Sequence, residues 1–173
     1  PDYQNAGLGH QLKIAQLQFV RAQGLELITW TYDPLETRNA YLNLSKLGAV
    51  CSTYRRNEYG EMADELNAGI PSDRFEVHWW VNSKRVTQRV SKQKRENMEL
   101  SQYTSAGITP INTTSLIDNK WVKPLQDQMD TLNDPANRPQ IVLLEVPADF
   151  QRLKSADLVL ATEWRMYSRV LFE

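Results

Sequence analysis

The chain has 173 residues, 41% of them hydrophobic and 24% charged, which is enough apolar material for one soluble domain or one and part of a second. Twenty Lys+Arg against twenty-one Asp+Glu leave a net charge of −1, so no global field steers the molecule toward nucleic acid or anionic lipid. One cysteine, Cys51, and two histidines, His10 and His78, exclude a disulfide framework and any metal centre built on several thiols or imidazoles; a lone thiol fits a reducing cytoplasm.

Apolar residues recur at helical spacing from Leu8 to Ala22 (Leu8, Leu12, Ala15, Phe19, Ala22), and Gly24 stands where a left-handed cap would end that helix. Leu25–Tyr32 (LELITWTY) is short, β-branched and aromatic, and predicts a largely buried strand. Asp33-Pro34-Leu35-Glu36 supplies an N-cap, a proline at the first helical position and a glutamate three residues after the cap. The helix it starts is expected to bury Ala40, Leu44 and Leu47 and to stop at Gly48. A strand over Ala49–Tyr54 follows, and Phe75–Val81 alternates Phe75, Val77, Trp79 and Val81 with Glu76, His78 and Trp80, a strand with one face for a core.

Ser83–Leu100 is polar and basic, either a solvated helix or a mobile connection, and Ile108–Thr113 is ambiguous. Asn133–Pro139 has loop composition, Ile141–Val146 (IVLLEV) predicts a buried strand, and Ser155–Glu173 predicts an amphipathic helix with Leu160, Ala161, Trp164 and Leu171 in one stripe. This order of elements signals a mixed α/β (α+β) layer rather than a helical bundle.

Gln4-Asn5-Ala6-Gly7-Leu8-Gly9 lies directly before the first helix. Two glycines one residue apart let a ligand reach the backbone, several N–H groups can converge on one anion, and the helix dipole adds to the attraction, so a pyrophosphate suits such a cradle. The spacing alone is equally that of a glycine turn that merely starts a helix. No Lys-Ser/Thr pair follows, which excludes a Walker-type loop, and the absence of a third glycine disfavours a Rossmann fingerprint.

This string resembles the Gln/Arg-x-x-Gly-x-Gly/Ala pyrophosphate loop of the GNAT superfamily of N-acetyltransferases, and the order of elements over about residues 1–54 is similar to that family's. The segments LGAVCSTYRRNEYGEM, PSDRFEVHWW and VPADFQRLKSADLVLATEWR resemble a branch of predicted acetyltransferases over nearly all of the chain. The resemblance implies a GNAT-like mixed sheet flanked by helices. Residues 1–70 would be the C-terminal half of the acyl-CoA-binding domain, and residues 71–173 an α/β extension completing or covering the substrate side.

It further implies that acetyl-CoA or another acyl-CoA places its pyrophosphate on Gln4, Asn5, Ala6, Gly7, Leu8 and Gly9, with His10 as a further donor, and that an amine of a small molecule or peptide attacks the thioester. In the family the general base usually lies on the strand leading into the loop. A chain beginning at Pro1 lacks that strand, so a fragment inactive alone is expected. The family's Asn-x-x-Ala-x-x-Leu-Tyr-x-x-x-Gly pattern, aligned on Ala40 and Gly48, puts Thr37 at the asparagine position and Leu44 at the acid position. Leu44 cannot donate a proton. Asn39 is the nearby candidate for contacting the cofactor and Tyr41 the candidate general acid, although a packed tyrosine is the plainer reading of that residue.

A non-catalytic acyl-CoA-binding or regulatory module is the alternative. Lys84, Arg85, Arg89, Lys92, Lys94 and Arg95 form a basic stretch without interleaved aromatics, closer to a solvated face than to a nucleic-acid contact. His78 reads as an outward strand residue, Cys51 as a small buried hydrophobe, and Arg165 and Arg169, one helical turn apart, as a pair able to hold a carboxylate. No metal site and no membrane span are expected.

Overall fold

The computed structural model describes residues 7–60, 69–91, 98–117, 120–125, 136 and 139–172. It is a mixed α/β structure that divides into two compact units, one of Pro1–Glu58 with Asp73–Arg95 and one of Tyr59–Ser72 with Glu96–Glu173.

The first unit opens with α1 (Leu8–Ala22), entered through Gly7 at φ 75° and closed by a Schellman turn. Gly24 (φ 71°) donates to Arg21 O at 3.0 Å and Leu25 donates to Val20 O at 3.2 Å, which satisfies carbonyls that the helix leaves orphaned. Strand β1 (Leu27–Tyr32) follows. Helix α2 then starts at Thr37, not at Pro34. The Asp33 side chain accepts from Leu35 N at 2.9 Å and Glu36 N donates to Asp33 O at 2.9 Å, so Pro34 and Leu35 are consumed in a turn that the capping pattern alone does not distinguish from a helix start.

From Tyr41 to Lys46 α2 widens into a π-helical turn, with Leu47 N donating to Leu42 O five residues back. That change of pitch rotates the buried stripe. Leu47 is fully buried and Asn43 nearly so, whereas Ala40 and Leu44, expected inside, are half-buried.

Strands β2 (Val50–Arg55) and β3 (Arg74–Trp80) complete a three-stranded sheet of order β1-β3-β2. β3 runs antiparallel to both neighbours, so β1 and β2 are parallel to each other, joined through α2, with the later strand inserted between them. β3 thus belongs to the first unit, although the sequence assigns it to an extension beginning at residue 71. Helix α3 (Lys84–Val90) follows, with the Ser83 hydroxyl accepting from Val86 N at 3.2 Å as its cap.

The alternation predicted for β3 is observed. Val77, Trp79 and Val81 are fully buried and join Leu17, Val20, Leu47, Ala49 and Val86 in one core, with Ile28, Trp30 and Phe75 packed against it. Trp30 and Trp79 meet edge to face at 5.8 Å, and Trp79 Nε1 donates to Leu47 O at 2.9 Å. The stripe predicted on α1 does not face this core. Leu12 and Phe19 are 71% and 65% exposed, and the helix packs through Ile14, Leu17 and Val20 instead. α1 carries two apolar stripes, and only the sheet decides which is covered.

In the second unit α4 (Leu100–Ser105) carries a reciprocal cap in which Glu99 N donates to Gln102 Oε1 at 2.7 Å. Strands β4 (Thr114–Ile117) and β5 (Trp121–Pro124) form an antiparallel hairpin. Ile141–Val146 is not a strand of a sheet. Its one bridge joins Leu143 to Pro110, and the Asn112 side chain serves Glu145 on both sides, donating to its O at 2.7 Å and accepting from its N at 2.8 Å. A side-chain amide here satisfies the peptide groups that a ladder would otherwise pair.

The helix predicted over Ser155–Glu173 is observed as α6 (Leu158–Phe172), and a separate helix the sequence reading did not foresee, α5 (Phe150–Ala156), precedes it; Asp157 divides the two, its carboxylate accepting from Leu160 N at 2.9 Å. The stripe of Leu160, Ala161, Trp164 and Leu171 is buried as expected, and Trp164 Nε1 donates to Val122 O at 2.7 Å, tying α6 to the hairpin. Among the described residues no helix is long and apolar enough to cross a membrane. The loop predicted over Asn133–Pro139 lies almost wholly outside the described residues.

Candidate functional site

The candidate phosphate cradle falls at the N-terminus of α1. Gln4, Asn5 and Ala6 lie outside the described residues; Gly7, Leu8, Gly9 and His10 lie within them. Gly7 takes the left-handed conformation (φ 75°, ψ 4°) and its carbonyl accepts from Gln11 N at 3.1 Å, starting the helix. Among the described residues no side chain caps α1. Its first-turn amides therefore point out of the helix with the dipole behind them, as anion binding requires.

Among the described residues, a Cβ at Gly7 would meet nothing within 4 Å. Gly9 faces α2: a Cβ there would touch Leu42 Cδ2 at 3.8 Å. The start of α1 and the middle of α2 are therefore neighbours, as a cofactor shared between them would need.

Asn39 and Tyr41 lie on α2 immediately before Leu42, both exposed, Tyr41 at 50%. The ring of Tyr41 has Lys46 Nζ 5.4 Å from its centroid. Leu44, which stands at the acid position of the resemblance, is half-buried, and its carbonyl takes a long 3.5 Å hydrogen bond from Arg85. Arg85 also donates to Gly48 O at 3.1 Å. At least this part of the basic stretch therefore ties α3 to the end of α2, while Lys92, Lys94 and Arg95 lie outside the described residues.

A second polar group lies on the sheet face opposite the core. Thr29, Thr31, Glu76, His78 and Trp80 share the parity that points away from α1. His78 Nε2 lies 3.3 Å from Glu76 Oε1, and Arg55 of the neighbouring strand donates through Nε to Glu76 Oε2 at 2.7 Å and through a second nitrogen to the same oxygen. Period-2 spacing already placed Glu76 and His78 on one face. Arg55 entered only through the β2–β3 register, which pairs it with Arg74, next to Glu76. The result is a partly exposed imidazole–carboxylate–guanidinium chain, which can orient a ring nitrogen as a base or simply balance the Glu76 charge.

On the core side, Tyr32 and Cys51 meet across β3. Burial raises the Tyr32 hydroxyl well above the ordinary phenol range, with the neighbouring Cys51 adding to the shift. Burial likewise raises the Cys51 thiol, and the hydrogen bond from Tyr32 only partly offsets it. A thiol held neutral in the fold contributes stability below its ordinary pKa, and that contribution is lost as pH rises through the raised value. Cys51 should therefore react with iodoacetamide more slowly than a free cysteine at pH 8, with its rate rising at higher pH. In urea the ordinary rate should return; equal rates in folded and unfolded protein would refute the burial.

Arg165, which the sequence sets one helical turn from Arg169 as a pair able to hold a carboxylate or to pair with acidic neighbours, is almost wholly buried, with its guanidinium 5.3 Å from the Phe150 ring centroid. Among the described residues no group of three or more His, Cys, Asp or Glu side chains gathers as metal ligands would. No family model, no curated protein and no solved structure significantly matches this chain.

Proposed function

We propose that this chain is part of an acyl-CoA-dependent N-acyltransferase, with Gly7, Leu8, Gly9 and His10 as the described part of its pyrophosphate cradle. The observation that carries the reading is the left-handed Gly7 opening a 15-residue helix whose first turn has no side-chain cap among the described residues. Gln4, Asn5 and Ala6 complete the cradle. When bound, acetyl-CoA supplies an activated thioester carbonyl for attack by an amine of a small molecule or peptide. The amides of α1 hold and orient the anion, and orientation is the larger part of what such a site contributes. Asn39 is the candidate contact from α2, and Tyr41, one residue from the Leu42 that touches Gly9, is the candidate proton donor to the departing thiolate. A reducing cytoplasm is the proposed location.

A second reading, a module that binds acyl-CoA without turnover, is favoured by one specific feature. Leu44 occupies the acid position, and Tyr41 is a surface residue beside Lys46 rather than a side chain held in a pocket.

Calorimetric titration of the chain with acetyl-CoA tests both readings. Binding is expected, and Gly7→Glu should reduce it at least about 100-fold, because it puts bulk and negative charge where the pyrophosphate lies. Unchanged affinity in Gly7→Glu removes the cradle from the argument. Tight binding with no acyl transfer to a broad amine panel selects the module over the enzyme.

A further inference from the structure

On the outer face of the first sheet, strand register sets a hydroxyl beside the imidazole–carboxylate–guanidinium chain. Val81 N donates to Glu26 O at 2.9 Å, and the β1–β3 register alternates from there. Ile28–Trp79 and Trp30–Val77 exchange peptide hydrogen bonds, whereas Leu27–Trp80, Thr29–His78 and Thr31–Glu76 do not. Pairs of the second kind bring their side chains closest, with Cβ atoms about 5 Å apart. Thr29 is exposed, so its hydroxyl stands open to solvent directly opposite His78.

The other groups fall in the order that an activated nucleophile requires, base next to hydroxyl and orienting carboxylate behind the base. His78 Nε2 faces Glu76 Oε1 at 3.3 Å, which leaves Nδ1 for proton transfer, and Arg55 Nε donates to Glu76 Oε2 at 2.7 Å. Among the described residues the Thr29 hydroxyl has no hydrogen-bond partner, the ring included; such bonds commonly close only on substrate. The same residues place β1 at the edge of the sheet, so the Thr29 N–H, turned away from β3, can steady an oxyanion beside its own hydroxyl. Trp80 and Val50, 48% and 40% exposed, flank His78 on this face and give a short acyl chain an apolar wall.

We propose that Thr29 is an acyl-accepting nucleophile for short-chain acyl esters, with His78 as its general base and with Glu76, held by Arg55, positioning the ring. Thr29 Oγ1 bonds to the ester carbonyl carbon as its proton passes to His78. The bond from that carbon to the alcohol oxygen then breaks, and the alcohol leaves with the proton that His78 returns. Water, deprotonated in turn by His78, releases the acyl group from Thr29 as a carboxylic acid. The proposal stands independently of the acyltransferase reading, since it uses neither α1 nor a bound acyl-CoA.

Incubation of the chain with p-nitrophenyl acetate tests it. The expected result is a burst of nitrophenolate together with an acetyl group on Thr29, located by mass spectrometry of the digested protein. Thr29→Val, a change of similar shape at an exposed strand position, should abolish the burst and leave the circular dichroism melt unchanged. His78→Gln should slow acetylation of Thr29 at least about 100-fold. Glu76→Gln should lower the maximal rate and leave the half-saturating ester concentration unchanged, as a positioning role requires. Cys51→Ala, which removes the single thiol, should keep the Thr29 adduct. No acetyl group on Thr29, a full burst in Thr29→Val, or acetylation as fast in His78→Gln as in the unaltered chain overturns the proposal.

Discussion

Trp79→Ala should cost the first unit about 4 kcal/mol, read as the shift in a guanidinium denaturation curve. Trp79 is fully buried at the middle of the core, meets Trp30 edge to face, and supplies the indole N–H that satisfies Leu47 O at the end of α2. Truncation removes the packing and strands a buried carbonyl together, and a domain of this size has a total stability of only about 5–15 kcal/mol. Trp79→Phe retains most of the apolar contact and lacks only the donor and some volume, so it should lose about half as much. If alanine and phenylalanine cost the same, the hydrogen bond rather than the packing dominates; a loss below about 1 kcal/mol for alanine would mean that Trp79 is not in the core.

Gly48→Ala should be the next most damaging change, at about 2–3 kcal/mol. Gly48 ends α2 at φ 74°, and an added Cβ would sit 2.9 Å from Arg89 Cγ and 3.1 Å from Arg85 O. The arginine side chain can swing aside. The carbonyl cannot move without shifting α3, which Arg85 anchors through Gly48 O. Gly24→Ala is the matched control, since Gly24 has nearly the same φ of 71° but nothing within 4 Å of an added Cβ. It should cost only the left-handed backbone penalty of about 1 kcal/mol. Equal losses at the two positions would show that α3 gives way freely and that the close approach at Gly48 carries no energy.

How far the amino-acid string foretold this molecule varies with the range of the interactions involved. The inward face of β3 was legible because alternation is a property of the strand itself: Phe75, Val77 and Trp79 must lie on one side whatever the neighbours are. The glycine ending at Gly24 was legible for a similar reason, since left-handed backbone is written locally. Helix α2 was not. Asp33-Pro34-Leu35-Glu36 fits a capped helix and an Asx turn equally well, and the π-helical widening, which puts Asn43 inside and leaves Leu44 half-buried, departs from the 3.6-residue spacing on which the expectation rested. Ile141–Val146 has the composition of a strand but finds no sheet, because its peptide groups near Glu145 are taken by the side chain of Asn112, 33 residues away.

The candidate site divides in the same way. Gly7 and Gly9 stand out in the string, yet the closeness of α2 to them, through Leu42, does not. Glu76 and His78 share a face by spacing alone, while Arg55 joins them only through strand register. By itself the sequence determined the elements with one strong period and the turns that need glycine, because these rest on backbone geometry within a few residues. Only the tertiary structure decided that α1 turns Leu17 and Val20 inward and leaves Leu12 and Phe19 outside, and that β3 enters between β1 and β2. Both outcomes depend on apolar surface supplied by segments distant in the chain, and burial rewards the combination rather than either stripe alone.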